Sequence, residues 1–302
     1  MRAHSSSLMS TSLLFLSLLA ALPALAGTPI NESRQLDARG RVEISNVKGR
    51  IQVRAWDKPE VKITGTLGDG VERLRVEGDS ENLSVVVEYP QNNWGGGKAG
   101  PTDLQLMVPL RAELDISSVA ADVDVEGVAS GELSIDAVSG SVKAVGAPRS
   151  ADINSVSGSL DLVLNSADVE AQTVSGDLKL RGRLNGDVSA ETVSGGIEIA
   201  VNNERLRELS ANTVSGSIRV NTGLAQRGEI RMETVSGDVL LILPKNLSAQ
   251  VRGETFSGDL RATGVTIEKR RGPGASFQTR YGSGEGDVRI ETFSGSAEVR
   301  LE

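Results

Sequence analysis

Residues 187–199 read Asp-Val-Ser-Ala-Glu-Thr-Val-Ser-Gly-Gly-Ile-Glu-Ile. Val188 and Ala190 alternate with polar residues before the first glycine, and Ile197 and Ile199 alternate with polar residues after it. Alternation with a period of two predicts a β-strand with one buried face. The two strands are out of phase, so the chain must bend at Thr-Val-Ser-Gly to keep both apolar sets inside. The stretch therefore predicts two short strands joined by a corner.

This unit recurs along the second half of the chain. Its glycine falls at Gly140, Gly158, Gly176, Gly195, Gly216, Gly237, Gly258 and Gly295. The positions seven and five before each glycine, and two and four after it, are almost all aliphatic. Such a unit cannot bury its apolar face alone, whereas stacked copies can, at about 4.8 Å per coil. The sequence therefore predicts an all-β fold, a β-solenoid of about eight or more coils, with a glycine corner where a Cβ would obstruct the backbone.

Three regions are expected along the chain. Residues 1–26 combine a charged start, a short apolar run and Ala24-Leu25-Ala26, the pattern of a secretory signal peptide. Residues 27–115 contain alternating strands without the motif and are interpreted as an irregular β-sheet that caps the N-terminal end. Residues 116–302 form the repeats, with a loop insertion near 265–286 because 37 residues separate the last two glycines.

The amino-acid composition excludes several kinds of catalytic and metal-binding site. The chain has no cysteine, and its one histidine is His4, inside the expected leader. The mature chain would therefore lack Ser-His-Asp and Cys-His catalysis, zinc sites and iron–sulfur clusters, and we predict no cofactor, no metal and no enzyme activity. A formal net charge of −8 argues against nucleic acid or anionic membranes as partners. No apolar stretch after the leader is long enough to span a membrane.

A family resemblance rests on three motifs. They are Val-Lys-Gly-Arg-Ile-Gln-Val-Arg-Ala-Trp-Asp at 47–57, Leu-Met-Val-Pro at 106–109 and the repeated Val-Ser-Gly. The chain resembles the bacterial "putative adhesin" family of exported β-strand-repeat proteins. The resemblance implies a β-solenoid located in the periplasm or outside the cell, and it carries no catalytic residues to transfer.

Repeated polar residues are interpreted mainly as structure. The series Ser139, Ser157, Ser175 is expected to shape the corner. A column of threonines offers a minor alternative, ice binding, with members Thr173, Thr192, Thr213, Thr234, Thr255 and Thr292. Asp238 and Asp259 are expected to stack in adjacent coils, where they stay solvated or attract a cation.

Arginines and glutamates form two further columns. Arg231, Arg252 and Arg289 recur two residues before Glu233, Glu254 and Glu291. Alternating charge of this kind predicts a mixed ion ladder on one exposed face, with a recognition stripe for an anionic polymer as the alternative.

The features least required by the repeat are Trp94, Arg270, Arg271 and Tyr281, which we take as a speculative partner surface because loops on rigid scaffolds often carry function. The leading hypothesis is a non-enzymatic exported scaffold that binds an envelope protein or glycan. Self-association is the other expectation, through a bare C-terminal edge strand at Glu298–Glu302. The alternative is a polysaccharide-acting β-helix enzyme that uses carboxylates and arginines.

Overall fold

A computed structural model describes residues 27–90, 99–267 and 273–302. The described residues form β-strands and connecting turns. The N-terminal strands are β1 (Thr28–Gln35), β2 (Arg41–Trp56), β3 (Glu60–Leu67), β4 (Arg73–Gly78), β5 (Asn82–Glu88), β6 (Thr102–Pro109) and β7 (Glu113–Val128). The next are β8 (Glu132–Ser139), β9 (Val142–Gly146), β10 (Ser150–Ser157), β11 (Leu160–Ser166), β12 (Asp168–Ser175), β13 (Leu178–Leu184), β14 (Asp187–Ser194) and β15 (Ile197–Ser215). The last are β16 (Ile218–Ser236), β17 (Val239–Leu243), β18 (Ala249–Ser257), β19 (Leu260–Ala262), β20 (Ala275–Tyr281), β21 (Gly286–Ser294) and β22 (Ala297–Leu301).

Successive coils stack in parallel and in register, which confirms the β-solenoid. Strands that precede the glycine pair with one another, as β8, β10, β12 and β14 do, and we call this layer the front sheet. Strands that follow the glycine pair likewise, as β9, β11 and β13 do, and form the back sheet. The predicted apolar columns lie between the two sheets: Leu133 and Ile135 of the front sheet and Val142 and Ala144 of the back sheet are all buried.

The corner glycines lie where a Cβ would obstruct the neighbouring backbone, as predicted from the sequence. A Cβ on Gly195 would lie 2.0 Å from the carbonyl oxygen of Gly176 in the preceding coil, and the φ of Gly195 is +155°. The same near contact recurs from coil to coil along the glycine column. Each glycine is therefore required by the closeness of the neighbouring backbone.

Stacking begins earlier in the chain than the boundary expected at residue 115. Strand β2 pairs in parallel with β7 on one side and with β5 and β6 on the other. Residues from Arg41 onward thus already form a coil, and the 115/116 boundary falls within β7. The cap is antiparallel: β4 pairs with β5 in the front sheet, and β1 and β3 continue from β6 in the back sheet.

At the C-terminal end the order in space differs from the order in sequence. The last coil, β21 and β22, lies between the coil of β16 and β17 and the coil of β18 and β19. The prediction of a bare edge strand at Glu298–Glu302 is therefore wrong: Glu298 and Val299 pair with β17 on one side and with β19 on the other, and the N–H of Leu301 donates to the hydroxyl of Thr263. The prediction that Asp238 and Asp259 stack in adjacent coils is also wrong, because the coil that contains Ser296 separates them.

The insertion near 265–286 includes an antiparallel strand. β20 pairs with β18 and covers the end of the front sheet. Phe277 of β20 packs over Gly253, where an added Cβ would lie 2.3 Å from the ring. Gly253 occupies a column that holds Ile, Ala or Met in most other coils. Because glycine has no side chain, the phenyl ring of Phe277 can pack there. The leader expected at 1–26 lies outside the described residues. In the part of the chain that the structure describes, no helix is long and apolar enough to cross a membrane.

Candidate functional site

The front sheet presents a continuous row of exposed apolar side chains next to the corner. Eight members occupy the position two before the corner glycine, Val119 occupies the equivalent position before Ala121, and each of the nine is between 46 % and 56 % exposed. In spatial order the members are Val119, Val138, Val156, Val174, Val193, Val214, Val235, Phe293 and Phe256. We call this row the apolar stripe. It crosses eight coil steps of about 4.8 Å and is therefore about 38 Å long.

The apolar stripe forms one side of a long groove with a volume of about 1210 Å³. The opposite side consists of residues four before the glycine, which are polar or acidic, and the floor is the buried column between them. The rings of Phe256 and Phe293 stack at one end, with centroids 4.8 Å apart and planes 4° apart. Residues 273–276 of the insertion also line the groove.

The floor explains the threonine column. Thr173, Thr213 and Thr234 are buried, and their hydroxyls donate to the carbonyl oxygens of corner glycines in the preceding coil at 3.3–3.4 Å. Thr255 and Thr292 make the equivalent hydrogen bonds. A buried threonine cannot present its hydroxyl to an ice surface. The ice-binding alternative is therefore wrong, because the strand turns this column inward.

The polar side of the groove is acidic. Its carboxylates are Asp136, Glu191, Glu233, Glu291 and Glu254, and no lysine or arginine is among the described residues that line the groove. The Arg/Glu ladder is confirmed, since Arg289 stacks between Arg231 and Arg252. Its ion pairs run both along and between strands: Arg289 contacts Glu291, Nε of Arg231 lies 4.0 Å from Glu233, and Arg252 lies 3.8 Å from Asp287 of the neighbouring coil. The hydrogen bond to Glu291 raises the pKa of Arg289.

Three groove carboxylates form no ion pair among the described residues. Asp136 accepts a hydrogen bond of 3.3 Å from the amide of Asn154, and Glu191 accepts one of 3.3 Å from Asn212. The ion pairs of the described chain do not include Asp136, Glu191 or Glu254. The groove thus joins an apolar side to an acidic side on which Asp136 and Glu191 form no ion pair in the described chain, while Glu254 also interacts electrostatically with Arg289.

The predicted partner surface is not brought together by the described structure. Trp94, Arg270 and Arg271 lie outside the described residues. Tyr281 is at the end of β20, where its hydroxyl donates to the carbonyl oxygen of Thr263 at 2.6 Å. Burial raises the pKa of this phenol. Tyr281 therefore fixes the insertion against the end of the solenoid.

The aspartates after the corner have structural partners. Asp238 accepts a hydrogen bond from the backbone N–H of Ser296 at 2.8 Å, and Asp177 accepts one from Gly196 at 2.9 Å. Asp122 accepts hydrogen bonds from the backbone N–H and the hydroxyl of Ser141, and both lower the pKa of its carboxyl. These carboxylates satisfy backbone donors of the next coil. In the described part of the chain, no group of three or more His, Cys, Asp or Glu has a metal-binding arrangement.

The apolar stripe was not predicted as a site, although its signal is present in the sequence. Each motif has Val or Phe at a position that strand alternation turns outward. From the sequence alone these residues are assigned to the corner, where the bend accounts for them without any exposure. The separate observation that two copies carry phenylalanine would have pointed to a surface role, because a large aromatic ring is not needed at a tight bend.

The class of protein is defined by its fold, a β-solenoid of parallel, stacked coils. The Toastrack DUF4097 family model matches residues 27–229 and 201–300, and the chain belongs to this family. One similar solved structure is a "putative adhesin" from Parabacteroides distasonis, 13% identical with a TM-score of 0.53, covering 90% of this chain and 97% of that one. A second, a "putative lipid binding protein" from the same organism, is 12% identical with a TM-score of 0.51 and the same coverage. These likenesses show the fold, and no curated protein matches the chain.

Proposed function

We propose that this protein is a non-enzymatic binding scaffold that acts after export, and that the groove along the apolar stripe is its binding surface. The observation that carries the proposal is the unbroken exposure of the stripe. Contiguous exposed apolar surface is uncommon on monomeric soluble proteins and marks interaction sites. A rigid solenoid holds that surface straight over about 38 Å, which suits an elongated partner.

Neighbouring surfaces support this assignment by contrast. Other outward columns of the front sheet carry Ser, Asp, Glu, Asn and Arg. On the back sheet, exposed valines occur at Val145 and Val163, but the next coils place Arg181 and Ala200 in the same column. The apolar stripe is therefore the outward column in which each coil from Val119 to Phe256 contributes an apolar residue.

Export is part of the proposal. The leader pattern at residues 1–26 and the absence of cysteine in the sequence are compatible with a chain that folds outside the cytoplasm without disulfides. The names of the two similar structures, an adhesin and a lipid-binding protein, both describe binding proteins. N-terminal sequencing of the mature protein tests this part, and an intact Met1 on purified cellular protein would contradict it.

Site-specific photocrosslinking tests the binding surface. A photoreactive benzoylphenylalanine replaces Val193 in the stripe, and a matched variant carries it at Val163, an exposed valine of the back sheet. We expect crosslinked species in intact cells for position 193 and none of comparable yield for position 163. Equal yields at both positions would show that the groove is not the preferred surface.

A further inference from the structure

We infer that the groove takes an extended polypeptide segment in which apolar and basic residues alternate. This inference deepens the proposed function and rests on it, since it names the partner class for the same groove. The first argument is charge complementarity. Apolar side chains would contact the stripe, while Lys or Arg would face Asp136, Glu191 and Glu254, none of which belongs to an ion pair of the described residues.

The dimensions of the groove favour an extended chain. The apolar stripe and the acidic column lie two residues apart on each strand, so their Cα rows are about 6.8 Å apart along a length of about 38 Å. An α-helix with its side chains is about 10–12 Å in diameter, wider than the spacing of the two rows, and would rest on top of them rather than between them. A strand that rises about 3.4 Å per residue spans the groove with about 11 residues.

The two sides of the groove match the geometry of a strand. Successive side chains of an extended segment point in opposite directions, so one set faces the apolar stripe and the other faces the acidic column. Phe256 and Phe293 widen the apolar side at one end, next to Glu254 and Glu291. An anionic lipid headgroup would instead meet like charge along the acidic column, which disfavours a lipid occupant.

Fluorescence anisotropy with labelled peptides tests the inference on the full mature protein. The probes are three 11-residue peptides that alternate Lys with Val, Glu with Val, and Lys with Ser. We expect saturable binding of the Lys/Val peptide at about 20 mM salt that weakens at about 200 mM. The other two peptides should bind at least tenfold more weakly, because each lacks one of the two complementary sets.

Protein variants separate the two sides of the groove. E191Q/E254Q removes two groove carboxylates, and D161N/E198Q removes two carboxylates of the back sheet with the same change in net charge. V174T/V193T/V214T removes apolar surface and keeps β-branched side chains, with V145T/V163T as its control. The groove variants should raise the Kd of the Lys/Val peptide at least tenfold and the controls less than twofold, with thermal midpoints recorded for all four.

Other occupants give distinguishable results. Equal binding of the Glu/Val peptide, or an unchanged Kd in E191Q/E254Q, would refute the inference that the partner segment is basic. The groove would then remain a binding surface for a partner of another charge. Valine-dependent binding to phosphatidylglycerol vesicles without peptide binding would identify a lipid occupant. Concentration-dependent dimers that V174T/V193T/V214T abolishes would identify a second copy. Crosslinking at position 193 no stronger than at 163 would instead refute the proposed function itself.

Discussion

Substitution of Gly195 by alanine is expected to destabilise the solenoid strongly. The new Cβ would lie 2.0 Å from the carbonyl oxygen and 2.7 Å from the carbonyl carbon of Gly176. Both atoms belong to the backbone of the preceding coil, so no side chain can move aside. The φ of +155° at Gly195 is also one that residues with a Cβ rarely adopt.

The size of the effect follows from the two consequences of that clash. Holding a residue with a Cβ at this backbone angle costs about 1–3 kcal/mol. Separation of the two coils would also weaken the hydrogen bond from the N–H of Gly176 to the carbonyl of Ser194, which is 3.1 Å long, at a cost of about 1 kcal/mol. We therefore expect a loss of about 3 kcal/mol and a thermal midpoint lower by about 6–12 °C.

The adjacent glycine provides a matched control. At Gly196 an added Cβ would have its nearest neighbours, Asp177 Oδ1 and the carbonyl oxygen of Ser217, at 3.6 Å. Gly196→Ala should therefore be neutral or stabilise the protein by about 0.4–1 kcal/mol. Calorimetry and urea unfolding of both variants measure the difference. If Gly195→Ala unfolds at the same temperature as Gly196→Ala, the close-approach explanation of the corner is refuted.

The remaining predictions concern the cap, the aspartates and the floor. Phe277→Ala should lower the free energy of unfolding by about 3–5 kcal/mol in urea titrations, because the ring fills the space above Gly253. Asp122→Asn should lower the free energy of unfolding at pH 7, because hydrogen bonds to the ionised carboxyl stabilise the fold and lower the pKa of Asp122. The difference in unfolding free energy from wild type should shrink as the pH falls below about 4, since protonation of Asp122 removes this stabilisation. Urea unfolding at pH 7 and pH 3 measures that difference, and a gap that widens at pH 3 would contradict it. Thr234→Val should lower the free energy of unfolding by about 1 kcal/mol because a buried hydrogen bond is lost. Thr192→Val should be tolerated because the hydroxyl of Thr192 has no partner among the described residues. Equal melting temperatures for the two variants would contradict this.

The repeat made most of the fold predictable. The phase slip at the motif requires a bend, and the columns before and after it identify the buried faces without any structure. Leu133, Ile135, Val142 and Ala144 are all buried as the alternation indicates. This succeeded because the side-chain period of a strand leaves no freedom: an apolar set that is inward in one coil must be inward in the next.

The order of the terminal coils could not be predicted for the same reason. Copies with equivalent columns accept one another as neighbours in any order, so sequence order does not determine which coil ends the stack. The decisive contacts are particular ones. Phe277 packs over the glycine at 253, and the strand that carries it covers β18, so the coil of β18 becomes terminal and β21 pairs inside it.

The apolar stripe is better explained by binding than by the needs of the corner. The bend itself is produced by the glycine column and by the buried threonines that donate to glycine carbonyls. A threonine at the stripe position would keep the β-branched shape that strands favour and would expose less apolar surface. Instead each coil from Val119 to Phe256 keeps a half-exposed apolar side chain, and the terminal coils enlarge it to phenylalanine. Since Val→Thr replacements keep the β-branched shape, they separate the two explanations: loss of binding with an unchanged thermal midpoint supports a binding stripe, and a lower thermal midpoint as well supports a structural one.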